Sequence, residues 1–123
     1  MIVKRSLVEE IPYNKENVIK YKSPDNLLKH ARVDKDCSGL MLVSRGKKDL
    51  IGYIGWQGDM IIALEVSEDY RGLGYGDYLL KKAIKSGCTK LTVSEKNLRA
   101  INLYQKNGFK IINKTGSRLL MSL

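Results

Sequence analysis

The chain has 123 residues, with a hydrophobic share of 43%, a charged share of 28% and a net charge of +9 at pH 7, which bounds it to one ordinary globular domain over residues 1–123. No apolar run reaches the ~20 residues that cross a bilayer, and the opening Met1-Ile2-Val3-Lys4-Arg5 lacks the apolar stretch of a secretory signal. Cys37 and Cys88 have neither disulfide-framework nor zinc-site spacing, so a cytoplasmic protein with reduced thiols, no bound metal and no membrane association is expected.

Residues 2–5 read as a short first strand, and residues 13–21 and 23–33 as two helices, the second opened by Ser23-Pro24 as N-cap and first-turn proline. Residues 40–44 and 50–56 are apolar runs joined by the turn Arg45-Gly46-Lys47-Lys48-Asp49, so two antiparallel strands are expected. Gln57-Gly58-Asp59 turns the chain into a third strand at 60–66. Residues 74–86 then have helical spacing, with Gly76, Leu79, Leu80, Ala83 and Ile84 on one stripe and Ser86-Gly87 as the stop. The β-branched stretch 90–94 is a strand. Asn97 suits an N-cap, and Leu98, Ile101 and Tyr104 or Gln105 continue a helix that stops at Asn107-Gly108. Residues 109–112 and 118–123 are the last two strands. This order predicts an α/β (α+β) fold: one mixed, mostly antiparallel central sheet flanked by helices. The crossover through helix 74–86 should make strands 60–66 and 90–94 parallel neighbours.

The charge is unevenly placed. Residues 1–35 carry eight basic and five acidic groups, and residues 36–79 carry four and seven, so these parts cancel. Residues 80–123 carry ten basic groups and only Glu95 as an acid, which supplies the whole excess. Lys81, Lys82, Lys85 and Lys90 follow closely on the most informative stretch of the chain, Arg71-Gly72-Leu73-Gly74-Tyr75-Gly76. A glycine-rich turn between a strand and a helix points unpaired N–H groups and the positive end of the helix dipole at one spot, which favours phosphate. Gly72, Gly74 and Gly76 carry no side chain to obstruct it, and the amides of Leu73 to Gly76, Tyr75 included, are free to donate. A P-loop would end in Gly-Lys-Ser or Gly-Lys-Thr, but Gly76 precedes Asp77. A dinucleotide fingerprint would need glycine at 77 and a first glycine close behind the strand, whereas Ser67 to Tyr70 intervene.

The spacing Arg71-x-x-Gly74-x-Gly76, after a strand ending Leu64-Glu65-Val66 and with Tyr70 before the arginine, resembles the acyl-CoA-binding motif of the GNAT superfamily of N-acetyltransferases. A second stretch, from Asn97 through Ala100, Leu103 and Tyr104 to Gly108-Phe109, resembles that family's other motif, 26 residues after Arg71. The resemblance implies a single GNAT domain in which 60–86 binds pyrophosphate and 90–113 forms the second motif. It implies acetyl-CoA as co-substrate, without a metal. Arg71 and its neighbours would then face the pyrophosphate, and the pantetheine arm would lie along the end of strand 60–66 beside Leu64. There, that strand splays from strand 90–94, and the Val66 N–H polarises the thioester carbonyl. Glu68 stands where the family often has proline.

Asn97 and Tyr104 are seven residues apart, which places them within roughly 20° on one helix face. Asn97 can bond pantetheine amides, or serve as the cap, or both. Tyr104 can reach the sulfur as a general acid, or be a core aromatic. Glu65, charged within an apolar strand, is the candidate base, and alternation groups it with Ala63 and Ile61. If partly buried, its pKa would rise; a salt bridge at the strand end is the structural alternative. Asp59 is a weaker candidate in a turn. Tyr53 and Trp56 either line an acceptor pocket or belong to the core, and His30 is read as a surface or half-buried side chain. The expected activity is transfer of an acetyl group to a small-molecule or peptide amine by direct attack in a ternary complex. The alternative is a non-catalytic basic module binding acyl-CoA or nucleic acid, although no named nucleic-acid motif is present. An exposed final strand suggests a homodimer.

Overall fold

Alternation of apolar side chains along the central strands builds a sheet with a core on each face. The computed structural model describes residues 7–21 and 36–123. The strand expected at 2–5, the helix expected at 23–33 and His30 lie outside the described residues. Within them the order is β1 (Val8–Pro12), α1 (Lys15–Lys20), β2 (Ser38–Ser44), β3 (Leu50–Gln57), β4 (Met60–Val66), a short 3-10 turn at Glu68–Tyr70, α2 (Tyr75–Lys85), β5 (Lys90–Ser94), α3 (Leu98–Lys106), β6 (Lys110–Thr115) and β7 (Arg118–Ser122). The seven strands form one sheet in the order β1-β2-β3-β4-β5-β7-β6, antiparallel throughout except for the parallel pair β4 and β5.

Residues of β2 and β3 alternate between the faces, with a register shift at Ile51 that resets the alternation in β3. Leu42, Ile51 and Ile54 enter the larger core with Leu79, Leu80 and Ala83 of α2 and Ile101 and Tyr104 of α3. Met41, Leu50 and Tyr53 enter a smaller core on the other face with Tyr13, packed by Val18 of α1. Leu80 is fully buried in the larger core. Leu80→Ala should cost about 2–5 kcal/mol through lost transfer energy and a cavity. Thermal denaturation should show a midpoint lowered by roughly 10 °C; a shift under a few degrees would mean that α2 packs differently.

The helix ends follow local chemistry. Asn14 caps α1 by accepting the Asn17 N–H at 2.8 Å, and Asn97 caps α3 by accepting the Ala100 N–H at 3.2 Å. The α3 helix stops where Gly108 takes a φ of +95°, and the Phe109 N–H returns to the Tyr104 carbonyl at 3.0 Å. That return seats the Phe109 ring edge-on to Tyr104. Leu98 departs from the expected apolar stripe: it is 67% exposed, while Ile101 and Tyr104 are buried.

Three sheet features were not evident in the residues. Val8–Pro12 is a strand although its two glutamates break the apolar alternation; it is an edge strand, where a terminal proline sacrifices no ladder bond. The final strand β7 is internal, between β5 and β6, so the free edge on that side is β6. Lastly, Gly55 pairs with Ala63 and Trp56 with Ile61, leaving Ile62 as an unpaired bulge. The bulge flips the facing of everything before it. Ile61 therefore joins Leu64 and Val66 in the larger core, while Ala63 packs on the smaller one, which corrects the grouping of Ile61 with Glu65 and Ala63.

Candidate active site

β4 and β5 are parallel neighbours for only two positions, Met60 with Lys90 and Ile61 with Leu91. Pairing stops where the Ile62 bulge bends β4, and the two strands part beyond it. On its other side β4 stays paired to β3, and the Ser67 N–H donates to the Ile51 carbonyl at 2.7 Å. In an antiparallel ladder this bond flanks a non-hydrogen-bonded pair, here Gly52 and Val66, so the N–H and C=O of Val66 point away from β3. Two residues back, the same holds for Leu64, opposite Ile54. The gap is thus lined by main-chain groups of Leu64 and Val66 that β5 does not reach.

Below this edge the chain forms the 3-10 turn and then the glycine loop. Gly72 has a φ of +75° and Gly74 of +92°, backbone that side-chain-bearing residues adopt at a cost of roughly 1–2 kcal/mol. Nothing lies within 4 Å of where a Gly72 Cβ would sit. Gly76 differs: its backbone is not left-handed, and a Cβ there would meet Leu103 and Val66 only at ordinary contact distances of 3.4 and 3.7 Å, so neither backbone angle nor space demands a glycine. Gly74 is the N-cap of α2 and no side chain caps it, unlike α1 and α3. Among the described residues no acceptor takes the amides of Gly72 to Gly76. Asp77, in the first turn, would repel an anion, but its carboxylate is turned to Lys81 and to the Asn107 side-chain amide, the latter at 2.9 Å. Burial pushes the Asp77 pKa up, yet those two hydrogen bonds outweigh it and hold the carboxyl below its usual value.

Two connected grooves flank this edge. The larger, of about 840 Å³, runs along the glycine loop and the start of α3. It is lined by Leu64, Glu65, Val66, Arg71, Gly72, Gly74, Tyr75, Gly76, Asn97 and Tyr104. Of the cofactor-binding residues expected from sequence, Leu73 alone does not line it; its side chain is 40% exposed. The smaller groove, of about 410 Å³, reaches Tyr53, Ala63, Glu68, Thr92, Ser94 and Arg118 between the parted strands. Leu64, Glu65, Arg71, Asn97 and Tyr104 line both, so the grooves meet at these five residues.

Tyr104 stands at that junction, 6% exposed. Its hydroxyl makes no hydrogen bond within the described residues, yet it is not sealed from solvent. Burial, and secondarily the Glu65 carboxylate, push its pKa up to about 12, while Arg118 opposes them. The same two causes push Tyr53 up further. Glu65 is exposed rather than partly buried, so the argument that burial equips it as a base does not hold; its place beside both tyrosines stands. The Oδ1 of Asn97 is committed to its cap, leaving the Nδ2 to donate. Arg71 sends its Nε to the Val66 carbonyl at 3.1 Å, bracing the end of β4.

The lysines named from sequence are not the cations of the grooves. Lys81 pairs with Asp77, Lys82 with Glu10 at 3.6 Å and Lys90 with Asp59 at 3.8 Å. Lys96, Arg99 and Lys106 line the larger groove instead. They were missed because α3 presents them to the glycine loop only once both helices pack. Asp59 lines neither groove and closes its turn by accepting the Thr89 and Lys90 N–H groups. Tyr53 lines the smaller groove, whereas Trp56 packs on the larger core. Among the described residues no group of three His, Cys, Asp or Glu side chains is placed to hold a metal ion, and no helix is long and apolar enough to cross a membrane.

A family model described as the acetyltransferase (GNAT) family matches residues 6–109. Among solved structures, Naa50 of Arabidopsis thaliana, in complex with the bisubstrate analogue CoA-Ac-MVNAL, is similar with a TM-score of 0.72 and 22% identity over 94% of this chain and 97% of that one. The ribosomal-protein-S18-alanine N-acetyltransferase of Escherichia coli has a TM-score of 0.70 and 20% identity, over 95% and 93%. The Pyrococcus horikoshii OT3 protein PH1933 is 28% identical with a TM-score of 0.58, over 66% of this chain; the match spans 62% of that protein's length. No curated protein sequence matches the chain significantly.

Proposed function

Because the chain belongs to the acetyltransferase (GNAT) family, we propose that it moves the acetyl group of acetyl-CoA to a primary amine by direct attack in a ternary complex. The observation that carries this reading is the meeting of two grooves at Leu64, Glu65, Arg71, Asn97 and Tyr104. A donor entering along the glycine loop and an acceptor entering between the parted strands reach each other there. Naa50 binds a bisubstrate analogue, a ligand that joins donor and acceptor in one molecule.

The residues divide the work by their chemistry. The uncapped amides from Leu73 to Gly76 take the pyrophosphate, with Lys96, Arg99 and Lys106 alongside for phosphate charge. Thus 60–86 is the pyrophosphate unit and 90–113 the unit that carries Asn97 and Tyr104. The pantetheine amides pair with the outward-facing backbone of Leu64, as an added strand would, helped by the Asn97 Nδ2. The Val66 N–H is aimed at the thioester oxygen, and a fixed donor to a developing oxyanion is worth about 3 kcal/mol. Cys37 and Cys88 line neither groove, and burial pushes the Cys88 thiol up to about 11, which speaks against a covalent acyl-enzyme.

Tyr104 donates to the departing sulfur. With its pKa near 12 the phenol stays protonated at any working pH. Complete transfer to a thiolate, whose thiol ordinarily titrates near ~8.5, is uphill, so the larger part of its effect is hydrogen-bond stabilisation. Glu65 accepts the proton that the ammonium form of the acceptor must lose, directly or through water.

Release of CoA thiol across a panel of amines tests the reading; no release with any amine would remove it. Glu65→Gln should lower kcat/KM about 10²-fold near neutral pH. The deficit should shrink as pH rises towards the amine's own pKa, where no base is needed. A deficit independent of pH would assign Glu65 a structural role.

A further inference from the structure

The smaller groove has charges of opposite sign on its two walls. Glu65 and Glu68 stand on the wall made by β4 and the turn after it, and Arg118 stands at the start of β7 on the other. Arg118 is held in place: its Nη2 donates to the Thr92 Oγ1 at 3.0 Å, from the neighbouring strand β5. Among the described residues its guanidinium makes no ion pair, and that hydrogen bond uses one of its five N–H donors on a side chain that lines the groove. Arg71, the other arginine of this groove, braces the Val66 carbonyl through Nε and also lines the larger groove beside the glycine loop, whereas Arg118 lines only the smaller groove. Nearby Lys114 is likewise taken, by Glu95 at 2.6 Å.

We infer that the amine acceptor carries a carboxylate a few bonds from its reacting nitrogen, and that Arg118 selects it by binding that carboxylate. This deepens the transferase reading and rests on it. The ammonium end of such an acceptor is drawn to the Glu65 wall, and the carboxylate to the guanidinium fork, so the two charges set its direction in the groove. The separation is short because Arg118 and Tyr104 line the same groove of about 410 Å³, and Tyr104 is at the junction where the acetyl group changes hands.

The test compares matched acceptors on the same enzyme preparation: β-alanine and 4-aminobutyrate, each against its carboxamide. The readout is the acid-to-amide ratio of kcat/KM in the wild type divided by that ratio in Arg118→Gln. This double ratio cancels the intrinsic difference in amine basicity and any loss of folded enzyme. It should be about ten-fold or more for at least one spacer, the size of a charge-assisted hydrogen bond, and Arg118→Glu should invert the preference. A double ratio near one for both spacers, with the amines still turned over, overturns the role of Arg118 and leaves the transferase standing. No turnover of any amine overturns both.

Discussion

Gly74→Glu abolishes acetyl-CoA binding, read by calorimetry as a loss of more than about 100-fold in affinity. Two effects add. Gly74 sits at a φ of +92°, so any side chain there strains the loop by roughly 1–2 kcal/mol. The glutamate also places a carboxylate at the uncapped N-terminus of α2, where it competes for the amides that would hold phosphate. Gly74→Ala separates the two, since it carries only the strain and should cost about ten-fold. Unchanged acetyl-CoA affinity in Gly74→Glu would mean that the pyrophosphate lies elsewhere.

Tyr104→Phe lowers kcat by about 10²–10³-fold, the cost of removing one donor aimed at developing charge, and changes acetyl-CoA affinity little. The ring stays packed against Phe109, 6.1 Å between centroids, and the hydroxyl has no protein partner to lose among the described residues. Folding should therefore survive. The pH dependence carries a second signature. Since the folded pKa of about 12 lies above the ordinary 10.0, the group's contribution to stability is present in full below pH 10.0 and is lost as pH rises towards 12. Tyr104→Phe should remove that alkaline loss, and no fall in kcat below pH 10 should be assignable to this phenol. Equal turnover in Tyr104→Phe would take the hydroxyl out of the mechanism.

Much of the site was legible because its determinants are local. Gly72 and Gly74 are required by left-handed backbone, and Asn97 by a helix start. The seven-residue interval from Asn97 to Tyr104 is a rotation that any α-helix imposes, and both residues line both grooves. Strand β4 and strand β5 have the bounds that their apolar runs predicted, 60–66 and 90–94. Gly76 shows the limit of this reading. It reads as a third loop glycine, yet its backbone is not left-handed and a Cβ there would only touch Leu103 and Val66 at ordinary contact distance, which the placement of α2 against α3 makes visible.

Sequence alone determined the strand–loop–helix unit, the second helix with its cap, and the family to which both point, because turns, caps and periodicity act within a few residues. Tertiary structure decided the rest. The bulge at Ile62 arises from registering β4 against β3, and it is what parts β4 from β5 and turns Ile61 inward. Insertion of the last strand between β5 and β6 carries Arg118 to the smaller groove, and the packing of α3 carries Lys96, Arg99 and Lys106 to the larger one. Register, strand order and helix packing join residues far apart in the chain, and no local pattern encodes which charges will face the same space.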